Sequence, residues 1–199
     1  MRHSLAVVVA ILLASPFVTN LARSTQVLPA ELPEVVERAQ WAFVGRCTER
    51  HVDVVRTDQI PKGLLVTFYT FHVSQWFKGG NAPPQGDQQT IRFAQWGAAK
   101  SECRARGFPC PIGMPQYEVD QEYALFLLNP SPLQLPVPLT STVALKDGSF
   151  PVTQAADGTK RIRGRFPSMM VGGKAKGEEL KKEIPLVDFT KLVEDAQRP

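Results

Sequence analysis

The clearest alternation of apolar and polar residues lies between Leu64 and Gly79, where the sequence is LLVTFYTFHVSQWFKG. Aromatic and β-branched residues fill this run, and these residue types favour strands. Every second residue from Leu65 to Val73 belongs to the more apolar of two faces, and a period of two places such residues on one side of a sheet. We therefore predict one long strand with a core face, and outward-facing Phe68, His72 and Trp76.

Shorter segments predict the rest of a mainly β fold. Gly45 lies inside the first strand and indicates a bulge or bend. A short amphipathic segment at 33–40 and an apolar stripe at three- and four-residue spacings in Ile184–Ala196 predict a helix near each end. Such a set of short strands best fits a small antiparallel barrel of the OB type. The further strands are Trp41–Thr48, Gln89–Trp96, Glu122–Leu128 and a hairpin of Gly148–Gln154 with Thr159–Phe166.

The first 22 residues have the pattern of a signal peptide: a basic start, an apolar run from Leu5 to Ala14, and Ser15-Pro16. This run is shorter than the roughly 20 residues that a membrane span needs. We expect cleavage after Ala22, a loose N-terminus at 23–32 and a single domain at 33–199, with an uncleaved anchor as the alternative. The expected location is the periplasm or the exterior, with no membrane span after cleavage.

Three cysteines remain in the expected mature chain. Cys103 and Cys110 would close an eight-residue ring, which stabilises a fold by about 2.5 kcal/mol on a chain-entropy basis. Cys47 shares an alternating face with Trp41 and Phe43 and is expected to be a buried thiol. The alternative is a bridge from Cys47 to one of the other two.

Several short motifs resemble a group of exported bacterial proteins of unassigned function. They are VVERAQWAFVGRCTE, FYTFHVSQWFKG, EYALFLL and GSFPV. Through that group, the chain resembles the OB-fold of tissue inhibitors of metalloproteinases and netrin-like modules, over roughly residues 33–155 and the C-terminal helix. The resemblance implies that fold and an inhibitor-like role. In the inhibitors an N-terminal cysteine binds the protease zinc, but here no cysteine precedes Cys47, so that mechanism does not carry over.

Residues with catalytic or metal-binding chemistry are sparse. His51 and His72 fall on strands where a surface pair is conceivable, but a metal site needs more ligands. Asp120 and Glu122 would share one face, which is more typical of a solvated strand entry than of acid–base catalysis. No serine or cysteine lies in a recognisable nucleophile motif. The sequence therefore predicts no catalytic residue, no metal site and no cofactor.

The charge does not favour a nucleic-acid partner. The formal net charge is +4, and loss of Arg2 with the signal peptide leaves 22 basic against 19 acidic residues, or +3. That excess is small for a phosphate-binding protein, and export argues against nucleic acid as well.

The stretch Gly97–Gln116 has no periodicity, and a loop of that length is usually functional or braced. We predict that Arg104, Arg106 and Phe108 project from it as a disulfide-held hairpin, with structural bracing as the alternative. The sequence thus predicts an exported, non-enzymatic module that binds an unidentified protein or envelope component. The alternatives are an extracytoplasmic hydrolase with an unrecognised site and a structural envelope protein. The oligomeric state is not predicted.

Overall fold

The computed structural model describes residues 30–80, 89–133, 135–165 and 181–198. The predicted signal peptide and most of the predicted loose N-terminus lie outside these residues. The elements in chain order are α1 (Leu32–Arg38), β1 (Trp41–Thr57), β2 (Ile60–Lys78), β3 (Thr90–Trp96), α2 (Lys100–Arg106), β4 (Glu122–Leu127), a 3₁₀ turn (Leu145–Gly148), β5 (Ser149–Gln154), β6 (Lys160–Arg165), β7 (Lys181–Pro185) and α3 (Leu186–Ala196).

The strands form one seven-stranded sheet in the order β3-β2-β1-β4-β5-β6-β7. Every pair of neighbouring strands is antiparallel. The predicted mainly β fold with a short helix near each end is therefore confirmed. The predicted closure into a barrel is not, because the described edge strands β3 and β7 do not pair with each other.

The outer edge of β3 is met by the segment 138–143 instead of by another strand. The Ala94 amide donates to the Pro138 carbonyl at 2.8 Å, and the Thr140 amide donates to the Ala94 carbonyl at 2.9 Å. The same segment then reaches β4, where the Val143 amide donates to the Phe126 carbonyl at 2.9 Å. Single β-bridges, Leu139 with Ala94 of β3 and Thr142 with Leu127 of β4, thus connect the two strands through this segment. A continuous strand at this position would close the sheet.

The sheet buries apolar residues on both faces. One face holds an aromatic cluster that includes Phe43, Tyr69, Phe71, Phe93 and Tyr117. The other face packs against α1 and α3 through a second cluster with Phe126, Phe150 and Phe189 at its centre. All residues of β4 from Tyr123 to Leu127 are buried, because β4 contributes alternate side chains to the two clusters. The sheet faces around β4 are therefore interior.

The C-terminal helix begins later than its apolar stripe predicted. Ile184 belongs to β7, where it pairs with Ile162, and the helix starts at Leu186 after Pro185. The residue before a proline disfavours the helical conformation, which explains why Ile184 is extended. In the described part of the chain, no helix is both long and apolar enough to cross a membrane.

Candidate binding surface

The predicted loop Gly97–Gln116 contains a helix, α2, which the sequence interpretation missed. Its residues KSECRAR are mostly good helix formers. At its start, the Glu102 carboxylate accepts a hydrogen bond from the Ala99 amide at 3.0 Å, which is one half of a capping box. At its end, Gly107 adopts the left-handed conformation with φ of 70°, a position that glycine occupies without strain. The predicted hairpin between the cysteines is therefore wrong, since Cys103, Arg104 and Arg106 are helical.

The disulfide joins α2 to the chain that follows it. Cys103 and Cys110 are bonded, as predicted, and Cys47 is a free, buried thiol. Cys103 belongs to a small apolar cluster with Val52 and Leu65, against which Phe108 also packs. Phe108 is therefore half-buried beneath α2 and does not project to solvent as predicted. The bridge holds the end of the turn 107–110 against α2, and both cysteines pack near Val52 and Leu65 of the sheet.

An ion pair attaches the other side of α2 to β1. The guanidinium of Arg50 contacts both carboxylate oxygens of Glu102, with one of these hydrogen bonds at 3.0 Å. These bonds lower the pKa of the Glu102 carboxyl below its ordinary value, and the Ala99 amide lowers it further. The hydrogen bonds that Arg50 donates to Glu102 also raise the pKa of Arg50. A bidentate pair of this kind fixes orientation as well as distance, so α2 has a defined position on the sheet.

The helix α2 also carries three cationic side chains that are exposed to solvent. Lys100, Arg104 and Arg106 are all exposed. Among the residues that the structure describes, none of the three forms an ion pair. The only carboxylate of α2, on Glu102, is already paired with Arg50. The outer side of the helix is therefore positively charged.

Two exposed apolar side chains flank α2. Trp96 is 43% exposed and Ile112 is 96% exposed. Their chain neighbours Gly97 and Pro111 are in close contact, because a Cβ built on Gly97 would lie 2.4 Å from the Pro111 ring. Trp96 and Ile112 therefore leave the body of the protein from adjacent points. We call Trp96, Lys100, Arg104, Arg106 and Ile112 the α2 surface.

The predicted outward residues of β2 do not form a joint surface. Phe68 is half-buried in a cluster around Val66 and Ala94 and stacks on His51 with ring centroids 6.0 Å apart. His72 is exposed and pairs in register with Arg46. Trp76 packs on the aromatic cluster, with its centroid 5.3 Å from that of Phe43.

A bulge explains the placement of Trp76. Val44 pairs with Gln75 while Gly45 pairs with Val73, which leaves Ser74 without a partner position. This extra residue reverses the alternation, so Trp76 lies on the same face as Val73. The bulge predicted from Gly45 is confirmed.

Three of the four titratable residues considered for catalysis or metal binding lie around Arg46, which pairs in register with His72 and Glu122 and donates to the Asp120 carbonyl at 2.7 Å. His51 lies opposite Phe68 on β2, four residues from His72, which is about 13 Å along a strand. Glu122 contacts Lys160 at 2.8 Å, and Asp120 lies in a turn with φ of 67°. In the described residues, no group of three or more His, Cys, Asp and Glu side chains has metal-site geometry.

Neither the Cys47 thiol nor the cleft beside α3 adds a catalytic site to these four residues. Burial raises the pKa of the Cys47 thiol to about 11, which disfavours the nucleophilic thiolate. A cleft of about 410 Å³ beside α3 is bordered by Lys160, Leu186 and Thr190 among others. None of the four predicted titratable residues lines it.

Comparison with known proteins adds no family assignment, because no protein-family model and no curated protein matches the chain. The candidate surface therefore rests on its geometry. The candidate surface shares Arg104 and Arg106 with the binding residues predicted from the sequence. Lys100, Ile112 and Trp96 were not among those predicted residues. The Ala99–Gly107 helix signal, with Glu three residues after the cap and a terminal glycine, would have identified the helix.

Proposed function

We propose that this chain is an exported, non-enzymatic protein-binding module that contacts its partner through the α2 surface. The observation that carries the proposal is a helix with unpaired cationic side chains, held by a disulfide and an ion pair and flanked by two exposed apolar residues. A rigid surface loses little conformational entropy when it binds. The disulfide also fits an oxidising compartment outside the cytoplasm.

We include an OB-like arrangement and an inhibitor-like role in this proposal. The connection of β3 through Leu139 and Thr142 to β4, and of β4 to β1, supports a partly open barrel of that type. An inhibitor must present a rigid segment to its target, and α2 is such a segment. Zinc chelation by an N-terminal cysteine forms no part of the proposal.

The hydrolase alternative gains no support from the four residues considered for catalysis or metal binding. Arg46 lies between His72 and Glu122 in register, Glu122 is paired with Lys160, and His51 stacks on Phe68. A purely structural envelope protein is the alternative that the experiment must separate from a binding module.

Site-specific photocrosslinking tests the proposal. A photoreactive amino acid replaces Ala105, which is exposed on α2 between the two arginines, and in a matched control it replaces Glu194, which is exposed on α3. Each protein is mixed with envelope extract and irradiated, and adducts are identified by mass spectrometry. We expect a discrete protein adduct at position 105 that is absent at 194. Identical adduct patterns at both positions, or none at 105, would contradict a binding role for α2.

The disulfide provides a second comparison in the same assay. The Cys103→Ala, Cys110→Ala variant loses the brace but keeps all members of the α2 surface. If the surface must be held in place, the yield of the adduct at 105 decreases in this variant while the sheet stays folded by circular dichroism. An unchanged yield would show that the brace is not needed for binding.

A further inference from the structure

The charge of the α2 surface carries information about its partner. Lys100, Arg104 and Arg106 are exposed, and none forms an ion pair in the described part of the chain, although the charge of Arg106 contributes to the lowered pKa of Glu102. Each of the other arginines with a nearby carboxylate, such as Arg38 with Glu34 at 3.0 Å, shares its charge within the molecule. Carboxylates of a partner can therefore pair with the α2 cations without breaking an ion pair inside the protein.

The ion pair of Arg50 with Glu102 adds to the excess of positive charge on α2. Glu102 is the only acidic residue of α2, and its carboxylate faces β1 and the Ala99 amide. Its charge is therefore compensated mainly by Arg50 and to a smaller extent by Arg106, so the exposed surface of α2 carries positive charge and no uncompensated negative charge. Charged patches of one sign steer binding partners of the opposite sign and disfavour those of like sign.

The two apolar residues of the α2 surface indicate which class of anionic partner it would bind. Trp96 and Ile112 are the chain neighbours of Gly97 and Pro111, which contact each other, and α2 begins three residues after Gly97. Protein interfaces typically combine an apolar aromatic centre with arginines, whereas polyanionic chains are bound through extended rows of cations. Three cations beside two large apolar side chains match an amphipathic protein segment better than a nucleic acid or a sulfated glycan.

We infer that the α2 surface binds an acidic protein segment that also carries apolar side chains. Carboxylates of the partner pair with Arg104, Arg106 and Lys100, and its apolar residues contact Trp96 and Ile112. This inference rests on the proposed function, because it names the chemistry of the partner at the same surface.

The direct test uses two synthetic peptides, one of alternating glutamate and leucine and one in which lysine replaces every glutamate. Binding to the intact protein is measured by fluorescence anisotropy, with a heparin-derived oligosaccharide as a third probe. We expect binding of the glutamate peptide only, which weakens in high salt as the Debye length falls from about 8 Å to about 3 Å. Equal binding of both peptides, or no binding of the glutamate peptide, overturns the inference. Tighter binding of the oligosaccharide also overturns it in favour of a glycan.

Charge variants separate this inference from the proposed function. Arg104→Gln, Arg106→Gln should weaken peptide binding about fivefold for each arginine removed, and Arg104→Lys, Arg106→Lys should restore most of it. The matched control is Lys191→Gln on α3 combined with Arg198→Gln just after that helix, which removes the same charge and should leave binding unchanged. An adduct at position 105 that is undiminished by Arg104→Gln, Arg106→Gln overturns the acidic partner but leaves the binding module intact. Absence of any adduct at 105 contradicts the module itself.

Discussion

The disulfide gives the most direct quantitative prediction. Cys103 and Cys110 enclose a ring of eight residues, and in the unfolded chain such a constraint removes loop entropy worth about 2.5 kcal/mol at 25 °C. Replacement of both cysteines by alanine keeps apolar side chains next to Val52 and Leu65. The main expected effect is therefore the loss of the constraint, with a smaller contribution from the missing sulfur contacts.

The free energy of unfolding is measured by urea denaturation of the oxidised protein and of Cys103→Ala, Cys110→Ala. We expect a decrease of about 2.5 kcal/mol, which corresponds to about 5–10 °C in Tm for a domain of this size. Reduction of the wild-type protein with a dithiol provides the control. It should lower the stability of the wild type to that of the variant and leave the variant unchanged.

Two results would refute this reasoning. The first is a difference of less than about 0.5 kcal/mol between oxidised and reduced wild type, which is the scatter of ordinary surface changes. The second is a change in hydrogen exchange confined to residues 97–116 with unaltered global unfolding. That result would show that the loop opens separately from the sheet, and that the bridge stabilises α2 alone.

Three further measurements test other parts of the structure. Because the folded-state pKa of Glu102 is lowered, its pairing with Arg50 stabilises the protein above the ordinary carboxyl pKa and this contribution is lost as pH falls through the folded pKa. Glu102→Gln should thus cost about 1 kcal/mol at neutral pH and nothing in acid, as measured by urea denaturation across pH. Gly45→Ala should cost about 1–3 kcal/mol in the same assay, since its Cβ would lie 2.8 Å from the His72 carbonyl oxygen, whereas the exposed control Lys62→Ala should change little. The Cys47 thiol, buried and with a pKa of about 11, should not react with a thiol reagent at mildly alkaline pH until the protein is unfolded, when one thiol per chain should appear; a fast reaction in the folded state would contradict its burial.

Regular alternation made the central strands predictable. In β2, Leu65, Thr67, Tyr69, Phe71 and Val73 are all buried, as the sequence pattern indicated. A two-residue period survives in a sequence when one face of a strand meets a continuous core. Alternation also indicated the first strand, whereas a continuous apolar run indicated the fourth.

The α2 helix was not predictable from periodicity because it is too short to repeat its pattern. Its seven residues bury only Cys103, so no apolar stripe marks it. Isolated helices of this length are unstable in water, and this one is held by Arg50, which lies 52 residues away in sequence. The candidate surface therefore depends on a tertiary contact that local sequence patterns do not contain.

Departures from regular geometry account for the misplaced residues of β2 and β7. Trp76 changed faces because one extra residue, Ser74, interrupts the pairing of β1 with β2. The sequence indicated a bulge at Gly45 but not on which strand the extra residue would fall. Ile184 was assigned to the helix because it fits the apolar stripe, although the following Pro185 favours an extended residue at that position.

The arrangement of buried surface restricts where a partner can bind. Both faces of the sheet around β4 are covered, one by the aromatic cluster and one by α1 and α3, so contact there would require unfolding. The α2 surface is different, because its cations are exposed while its backbone is fixed from two directions by Cys110 and Arg50. Since these restraints act on the same seven-residue helix, loss of either one leaves the other in place, and loss of both should weaken binding more than the two separate losses combined.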